Sequence, residues 1–167
     1  MERINIRLLG TPASVDAAIP EFHRWIQQNA TGEMLIDVVD YRHVPDGPGV
    51  VLIGHDGDYG LSTAGLTYSR KTKSAGSDVE KILDAYNRAA EAGRRFGLAW
   101  REFEVIVNDR IGTPNTDENW HALQALLTDA FGLEVTRRGE PRSRLTARVT
   151  AKTNLVDLRP RQTAAAH

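Results

Sequence analysis

Residues 37–60, DVVDYRHVPDGPGVVLIGHDGDYG, decide the fold of this chain because they hold its longest apolar run and its densest turn signal. Val38 and Val39 lead into this stretch, and residues 50–53, Val-Val-Leu-Ile, lead out of it. β-Branched side chains of this kind favour strands, because they pack well on a pleated surface. Between them, Pro-Asp-Gly-Pro-Gly at residues 45–49 combines the fixed φ of proline with glycines that accept positive φ. We therefore expect a β-hairpin.

The register of this hairpin depends on the length of its loop. A four-residue loop pairs Tyr41 with Leu52 and Asp37 with Asp56. Two carboxylates then lie opposite each other, which is unfavourable unless a cation or a proton lies between them. A register shifted by one residue would instead move every side chain to the other face of the sheet. The sequence leaves both registers open.

The best cluster of chemically capable side chains follows the second strand of the hairpin. Three glycines among residues 54–60 let the backbone bend there, next to the candidate catalytic residues His55, Asp58 and Tyr59. His55 would act as a general base or a metal ligand, with Asp58 as its orienting carboxylate. Tyr59 or Arg70 would orient an anionic substrate.

The same segment contains the candidate metal ligands His43, His55 and Asp56, because imidazole and carboxylate groups bind transition metals. No metal-binding spacing of the His-Glu-x-x-His type accompanies them. The structural alternative is that Asp and Gly are ordinary loop residues and that His55 is hydrogen-bonded on the rim. The sequence predicts no cofactor.

Length and composition are typical of one soluble globular domain, and the lack of cysteine fits a reducing compartment. The 167 residues are enough to form a core, and 41% of them are hydrophobic and 26% charged. The absence of cysteine excludes disulfides, thiolate nucleophiles and sulfur-ligated metal sites. The sequence contains no visible secretory signal and no apolar run of membrane-spanning length, so we expect a cytoplasmic protein.

Hydrophobic periodicity predicts an α+β domain over residues 1–152, with the element order β-α-β-β-β-α-β-α-β-β. We expect a mostly antiparallel sheet with the helices packed on one face. The best-marked helix follows Ser77, which forms a capping box with Glu80. Residues 153–167 continue no pattern, and we expect them to form a flexible carboxy-terminal tail.

Basic residues are concentrated near the end of the chain. Residues 137–161 hold eight basic and two acidic residues, although the whole chain carries a net charge of −1. Arg144, Arg148 and Lys152 alternate with apolar residues in the last predicted strand. That strand therefore has one core face and one cationic face, which is open to water or to a partner.

A second basic group consists of Arg70, Lys71 and Lys73, which precede a predicted helix. A helix amino terminus attracts anions, so these residues are candidates for binding a phosphate or another anionic ligand. No glycine-rich phosphate loop is present, and a solvated basic loop is the structural alternative.

The function we favour is a non-catalytic accessory or adaptor domain that associates with itself or with a larger complex. Segregated charge steers an acidic surface towards a basic one, so the expected partner is a second copy or an acidic protein. The partner-binding residues would be Arg144, Arg148 and Lys152 of the last strand, with Leu155 and Leu158 of the tail. We expect no association with membranes.

Two alternatives remain. The first is a small enzyme or a ligand- or metal-binding protein with its site at residues 55–59, for which hydrolysis or isomerisation would be the available chemistry. The second is nucleic-acid binding through the arginine-rich last strand. It ranks last, because aromatic residues make up 7% of the chain and none interleaves with those arginines.

Overall fold

The computed structural model describes residues 1–160, which form one eight-stranded antiparallel sheet and three helices. The strands lie in the order β2-β3-β4-β5-β1-β6-β8-β7. In chain order the elements are β1 (Ile4–Leu9), α1 (Ala18–Gln28), β2 (Leu35–Tyr41), β3 (Gly49–Gly54), β4 (Gly57–Ser62), β5 (Gly65–Arg70), α2 (Asp78–Arg95), β6 (Glu102–Val107), α3 (Asp117–Phe131), β7 (Glu134–Arg138) and β8 (Leu145–Thr150). The predicted α+β class with a mostly antiparallel sheet is confirmed.

The three helices cover the same face of the sheet, and the core lies between them and the strands. Because successive side chains of a strand point to opposite faces, Ile6 and Leu8 of β1 are buried whereas Arg7 is exposed on the helix-free side. The same alternation runs through β8, and β6 departs from it only at Glu104, which lies on the open face but is buried. The helix-free side, called the open face below, therefore carries the polar and charged side chains of the strands.

Helix α2 lies close over the central strand β1. Its predicted capping box is confirmed, since Ser77 N donates to Glu80 Oε2 at 2.6 Å and Glu80 N donates to Ser77 Oγ at 3.3 Å. Its buried face is rich in small residues that let the helix approach the sheet. A Cβ at Gly93 would lie only 2.9 Å from Leu8 Cδ1 and 3.2 Å from Trp100 Cζ3.

The structure contains one strand more than the sequence predicted. His55 and Asp56 form a tight turn after β3, and the chain returns at once as β4 instead of forming the expected loop. Within β4, Tyr59 pairs with Leu52 of β3 on one side and with Tyr68 of β5 on the other. The expected three-strand meander is therefore a four-strand meander, β2-β3-β4-β5.

The register of the β2–β3 hairpin differs from the one that a four-residue loop would impose. Asp37 pairs with Ile53, and Tyr41 pairs with Gly49 rather than with Leu52. The connecting loop is longer because it makes two successive turns, and Gly49 ends it at a φ of 76°. No carboxylate therefore lies opposite Asp37, and the apparent repulsion disappears.

The described part of the predicted tail, residues 153–160, packs against the domain. Leu155 is 4% exposed, and its N–H donates to Trp100 O at 2.7 Å. Arg94 of α2 donates to Val156 O at 2.7 Å and to Leu158 O at 3.3 Å. Specific contacts that no periodicity indicated therefore hold this part, while the final Ala-Ala-Ala-His lies outside the described residues and the flexibility of the tail stays a prediction.

Candidate functional site

The three candidate catalytic residues do not lie in one site. His55 is exposed in the turn between β3 and β4. Asp58 lies on the open face, where it accepts a hydrogen bond from Gly54 N at 3.2 Å and pairs with Lys71 Nζ at 2.8 Å. Tyr59 is the next residue of β4, so it points to the opposite face and is buried in the core.

The candidate metal ligands are also separated. His43 precedes β3 and His55 follows it, and a strand of this length spans about 20 Å. The carboxylate of Asp56 accepts a hydrogen bond from Thr72 Oγ1 at 3.2 Å. Among residues 1–160, no group of three or more His, Cys, Asp or Glu side chains is placed to hold a metal ion.

Tyr59 belongs instead to a buried polar cluster around Glu33, which the sequence did not indicate. Glu33 is 7% exposed and accepts hydrogen bonds from Tyr59 Oη at 2.9 Å and from Tyr68 Oη at 3.4 Å. Arg88 of α2 donates to the same carboxylate and pairs with Asp84 at 3.0 Å. We call Glu33, Tyr59, Tyr68 and Arg88 the Glu33 cluster.

The electrostatics of the Glu33 cluster keep both tyrosines protonated. Burial, reinforced by the nearby charge of Glu33, raises the pKa of Tyr68 to about 12 and the pKa of Tyr59 further still. Tyr59 is therefore a hydrogen-bond donor at neutral pH rather than a base. Each oxygen of the Glu33 carboxylate has a donor, so the cluster ties the segment before β2 to α2 and to the meander.

The three candidate anion-binding residues point to different places. Arg70 is largely buried, donates to Thr72 O at 3.2 Å and pairs with Asp84 at 3.7 Å. Lys71 forms an ion pair with Asp58 on the open face. Lys73 alone of the three lines an open depression. The predicted basic loop therefore does not act as one anion site.

The depression that contains Lys73 gathers basic side chains from four separate segments. Arg3 precedes β1, Lys73 follows β5, Arg110 follows β6 and Arg144 precedes β8. These positions meet because antiparallel pairing brings the beginnings of β1 and β8 to the same end of the sheet as the ends of β5 and β6. The depression has a volume of about 650 Å³, and we call it the basic depression.

The four cations of the basic depression have no ion-pair partner within residues 1–160. The acidic side chains beside them are already engaged. Glu2 pairs with Lys81 at 2.5 Å, and this contact holds the pKa of Glu2 below its usual range. Asp109 accepts a hydrogen bond from Gly112 N at 3.0 Å. The depression therefore presents an excess of positive charge.

An apolar side chain stands on the rim of the basic depression. Ile111, between Arg110 and Gly112, is 97% exposed. The loop that carries it is held by Asp109, whose carbonyl oxygen accepts from Thr113 N at 2.8 Å. A lone exposed apolar residue is ordinary on a protein surface. Ile111 therefore stands beside cations that form no ion pair within residues 1–160.

Only part of the predicted partner surface is available. Arg144 lines the basic depression and Lys152 is exposed after β8. Arg148 lies on the open face but pairs with two glutamates of β6 at 3.5 and 3.6 Å. Leu155 is buried, and Leu158 packs against the core. Leu155 is thus covered by the core of the same chain, whereas Leu158 is only partly buried and its docking on a neighbour stays a prediction.

A second concavity lies on the open face, above β4 and β5. This groove has a volume of about 560 Å³, and its lining includes Gly60, Thr67, Arg7 and Tyr41. The β2–β3 loop forms one wall, since a Cβ at Gly60 would lie 3.2 Å from Pro48 O. Polar groups from several strands converge on this groove, which therefore has the form of a small-ligand site.

The sequence matches no protein-family profile and no curated protein. Among residues 1–160, no helix has the length and apolarity needed to cross a membrane.

Proposed function

We propose that this domain is a non-catalytic adaptor that binds an acidic segment of a protein partner in the basic depression. One observation carries the proposal: four cations that form no ion pair within residues 1–160 line the same depression as the exposed Ile111. The acidic segment would supply carboxylates for the cations and one apolar side chain for the isoleucine. Arg144, which the sequence already suggested as a partner-binding residue, forms one side of this site.

The two parts of the site contribute in different ways. Exposed cations act mainly on the rate of association and on its dependence on salt, because water and ions screen each charge. Burial of Ile111 against an apolar partner side chain would add about 1.5–3 kcal/mol of binding free energy, which depends little on salt. Charge therefore steers the partner, and the apolar contact holds it.

A protein segment fits this site better than a nucleic acid. The residues that line the depression include no aromatic side chain, so unpaired bases would find no stacking surface. Binding of nucleic acid is an outcome that the experiment below can detect.

The test uses a fluorescent peptide of alternating Glu and Gly with one central Leu, titrated with the protein at low and moderate salt. We expect the parent chain to bind it and the double variant Arg110→Glu/Arg144→Glu to bind at least about tenfold more weakly. Arg101→Glu is the matched control, because Arg101 is exposed and lies at the opposite end of β6.

Three results would overturn the proposal. The first is a parent chain that does not bind the peptide, and the second is equal binding by the double variant. The third is tighter binding of a single-stranded oligonucleotide of equal charge. Ile111→Ser should weaken binding of the Leu peptide but not of a peptide with Ser at that position, and equal losses for both peptides would remove the apolar contact from the proposal.

A second candidate function, binding of a small polar ligand, is supported by the groove on the open face. Thr67→Trp would fill this groove, whereas Thr150→Trp places the same side chain on the open face of β8, away from it. We expect a native mass spectrum of the parent and of Thr150→Trp to retain a bound small molecule that Thr67→Trp loses. A parent chain without any retained molecule would remove this candidate.

A further inference from the structure

Strand β7 forms one free edge of the sheet. It pairs with β8 on one side, and no described strand lies on its other side. The backbone N–H and C=O groups that point outwards from an edge strand can pair with a strand of another chain. Such pairing extends the sheet through main-chain hydrogen bonds, and the side chains select the partner and the register.

The side chains of β7 are divided between the two faces of the sheet. Val135 is buried beneath the helices, and Arg137 is fixed on the same side by Asp117 at 2.7 Å. The other three side chains lie on the open face and are exposed: Glu134, Thr136 and Arg138. The exposed side of this edge therefore begins with a negative charge and ends with a positive one.

Neither of these two charges is neutralised by the part of the chain that the structure describes. Glu134 and Arg138 form no ion pair with any residue between 1 and 160. Their neighbours across the strand pair with β8 are Thr150 and Thr146, which carry no charge. Both charges are thus available to a strand that adds to the edge.

We propose that two copies of this chain pair through β7, antiparallel to each other about a two-fold axis at Thr136. This register places Glu134 of each copy opposite Arg138 of the other, so the symmetric contact contains two ion pairs. An axis at either end of the strand would instead set Glu134 or Arg138 against itself. The two eight-stranded sheets become one continuous sheet with all helices on the same side.

The opposite edge of the sheet lacks this self-complementarity. Strand β2 contains Asp37 and Asp40 but no basic residue, and its pairing with β3 is irregular between Leu35 and Asp37. Two copies of β2 would therefore bring only negative charge to the contact, and bulges disfavour added strands. The self-pairing is for this reason assigned to β7 alone.

Helix α3 adds to the contact area of the proposed dimer. It packs over β7 and β8, so the two-fold axis brings the two copies of α3 towards each other. A five-residue strand pair alone buries less than the roughly 800 Å² per partner of a stable interface, so we expect a dimer with micromolar affinity.

The experiment is sedimentation velocity over a concentration series, with the charges of β7 reversed one at a time. Glu134→Arg leaves two positive charges on the edge, and Arg138→Glu leaves two negative ones. We expect each single variant to dimerise at least about tenfold more weakly than the parent. An equimolar mixture of the two should form a heterodimer, and the double variant Glu134→Arg/Arg138→Glu should dimerise like the parent.

The outcomes separate this contact from the basic depression. The double variant Arg110→Glu/Arg144→Glu changes residues outside β7. It should dimerise like the parent, even if it no longer binds the acidic peptide. A parent chain that stays monomeric at every concentration would overturn the dimer. So would single variants that dimerise like the parent, or a mixture that shows no heterodimer while circular dichroism shows both variants folded.

Discussion

At the scale of single residues, Glu33 connects helix α2 to strands β4 and β5 of the meander through its hydrogen bonds. It is a buried carboxylate whose donors come from β4, β5 and α2. Removing one partner from such a group costs more than a typical surface hydrogen bond, because the remaining charge loses its compensation in a poorly solvated place.

The two tyrosines of the Glu33 cluster should contribute unequally to stability. Tyr59→Phe removes a charge-assisted hydrogen bond of 2.9 Å and should lower the free energy of unfolding by about 2 kcal/mol. Tyr68→Phe removes a weaker bond of 3.4 Å and should cost below about 1 kcal/mol. Urea denaturation of both variants measures the difference, and equal losses would contradict this geometry.

The raised pKa of Tyr68 predicts a loss of stability in alkaline solution. The pKa of this residue is about 12 in the folded chain, against about 10 when the chain is unfolded. The unfolded state therefore releases its proton first, and the stabilising contribution present below pH 10 is lost as the pH rises to about 12. Stability curves of Tyr68→Phe should fall less steeply over this window than those of the parent.

At the scale of elements, the glycine that begins β5 has little tolerance for change. Gly65 has a φ of 141°, and a Cβ there would lie 1.9 Å from Leu8 O of the neighbouring strand. Gly65→Ala should therefore lower the free energy of unfolding by at least about 3 kcal/mol, because it strains the backbone and disrupts strand pairing. Gly97→Ala is the control, because Gly97 has a φ of 65° but no neighbouring atom within 4 Å.

Gly97→Ala should lower the free energy of unfolding by only about 1 kcal/mol, which is the cost of a left-handed conformation for alanine after the end of α2. Urea denaturation of both variants gives the comparison. Similar losses for Gly65→Ala and Gly97→Ala would show that the close approach of β1 to β5 does not limit the residue at position 65.

The helices and most strands were predictable because their periodicity is clear, whereas β4 was not. Gly57, Asp58 and Gly60 have low β-propensity, so the sequence predicts a loop there. Tertiary context overrides that preference, since β4 lies between two strands that bury Tyr59 and Leu61. The period-two alternation of Tyr59 and Leu61 with smaller polar residues was the available signal.

At the scale of the whole molecule, the candidate site was only partly predictable. Arg144 and Lys73 were each identified, but as members of different predicted sites. The basic depression also contains Arg3 and Arg110, which are far apart in sequence and have no spacing in common. A site assembled from four strand ends requires the sheet order, and local patterns do not specify that order.

The contact of residues 153–160 with the domain gives a prediction at the same scale. Leu155→Ala should lower the free energy of unfolding by about 2–4 kcal/mol, because it leaves a cavity in the core. Trypsin should then cleave more rapidly after Lys152. Asp157→Ala is the matched control, since Asp157 is exposed, and equal protection in both variants would mean that Leu155 does not anchor this segment.

The position of β1 in the middle of the sheet has a consequence for how the protein is made. Its two neighbours, β5 and β6, come much later in the sequence. A chain that leaves the ribosome amino end first must therefore keep an apolar strand unpaired on both sides while the meander forms beside it. Contacts between distant parts of a chain also slow folding in general. We expect the nascent chain to need shielding from other chains until residues 102–107 have emerged.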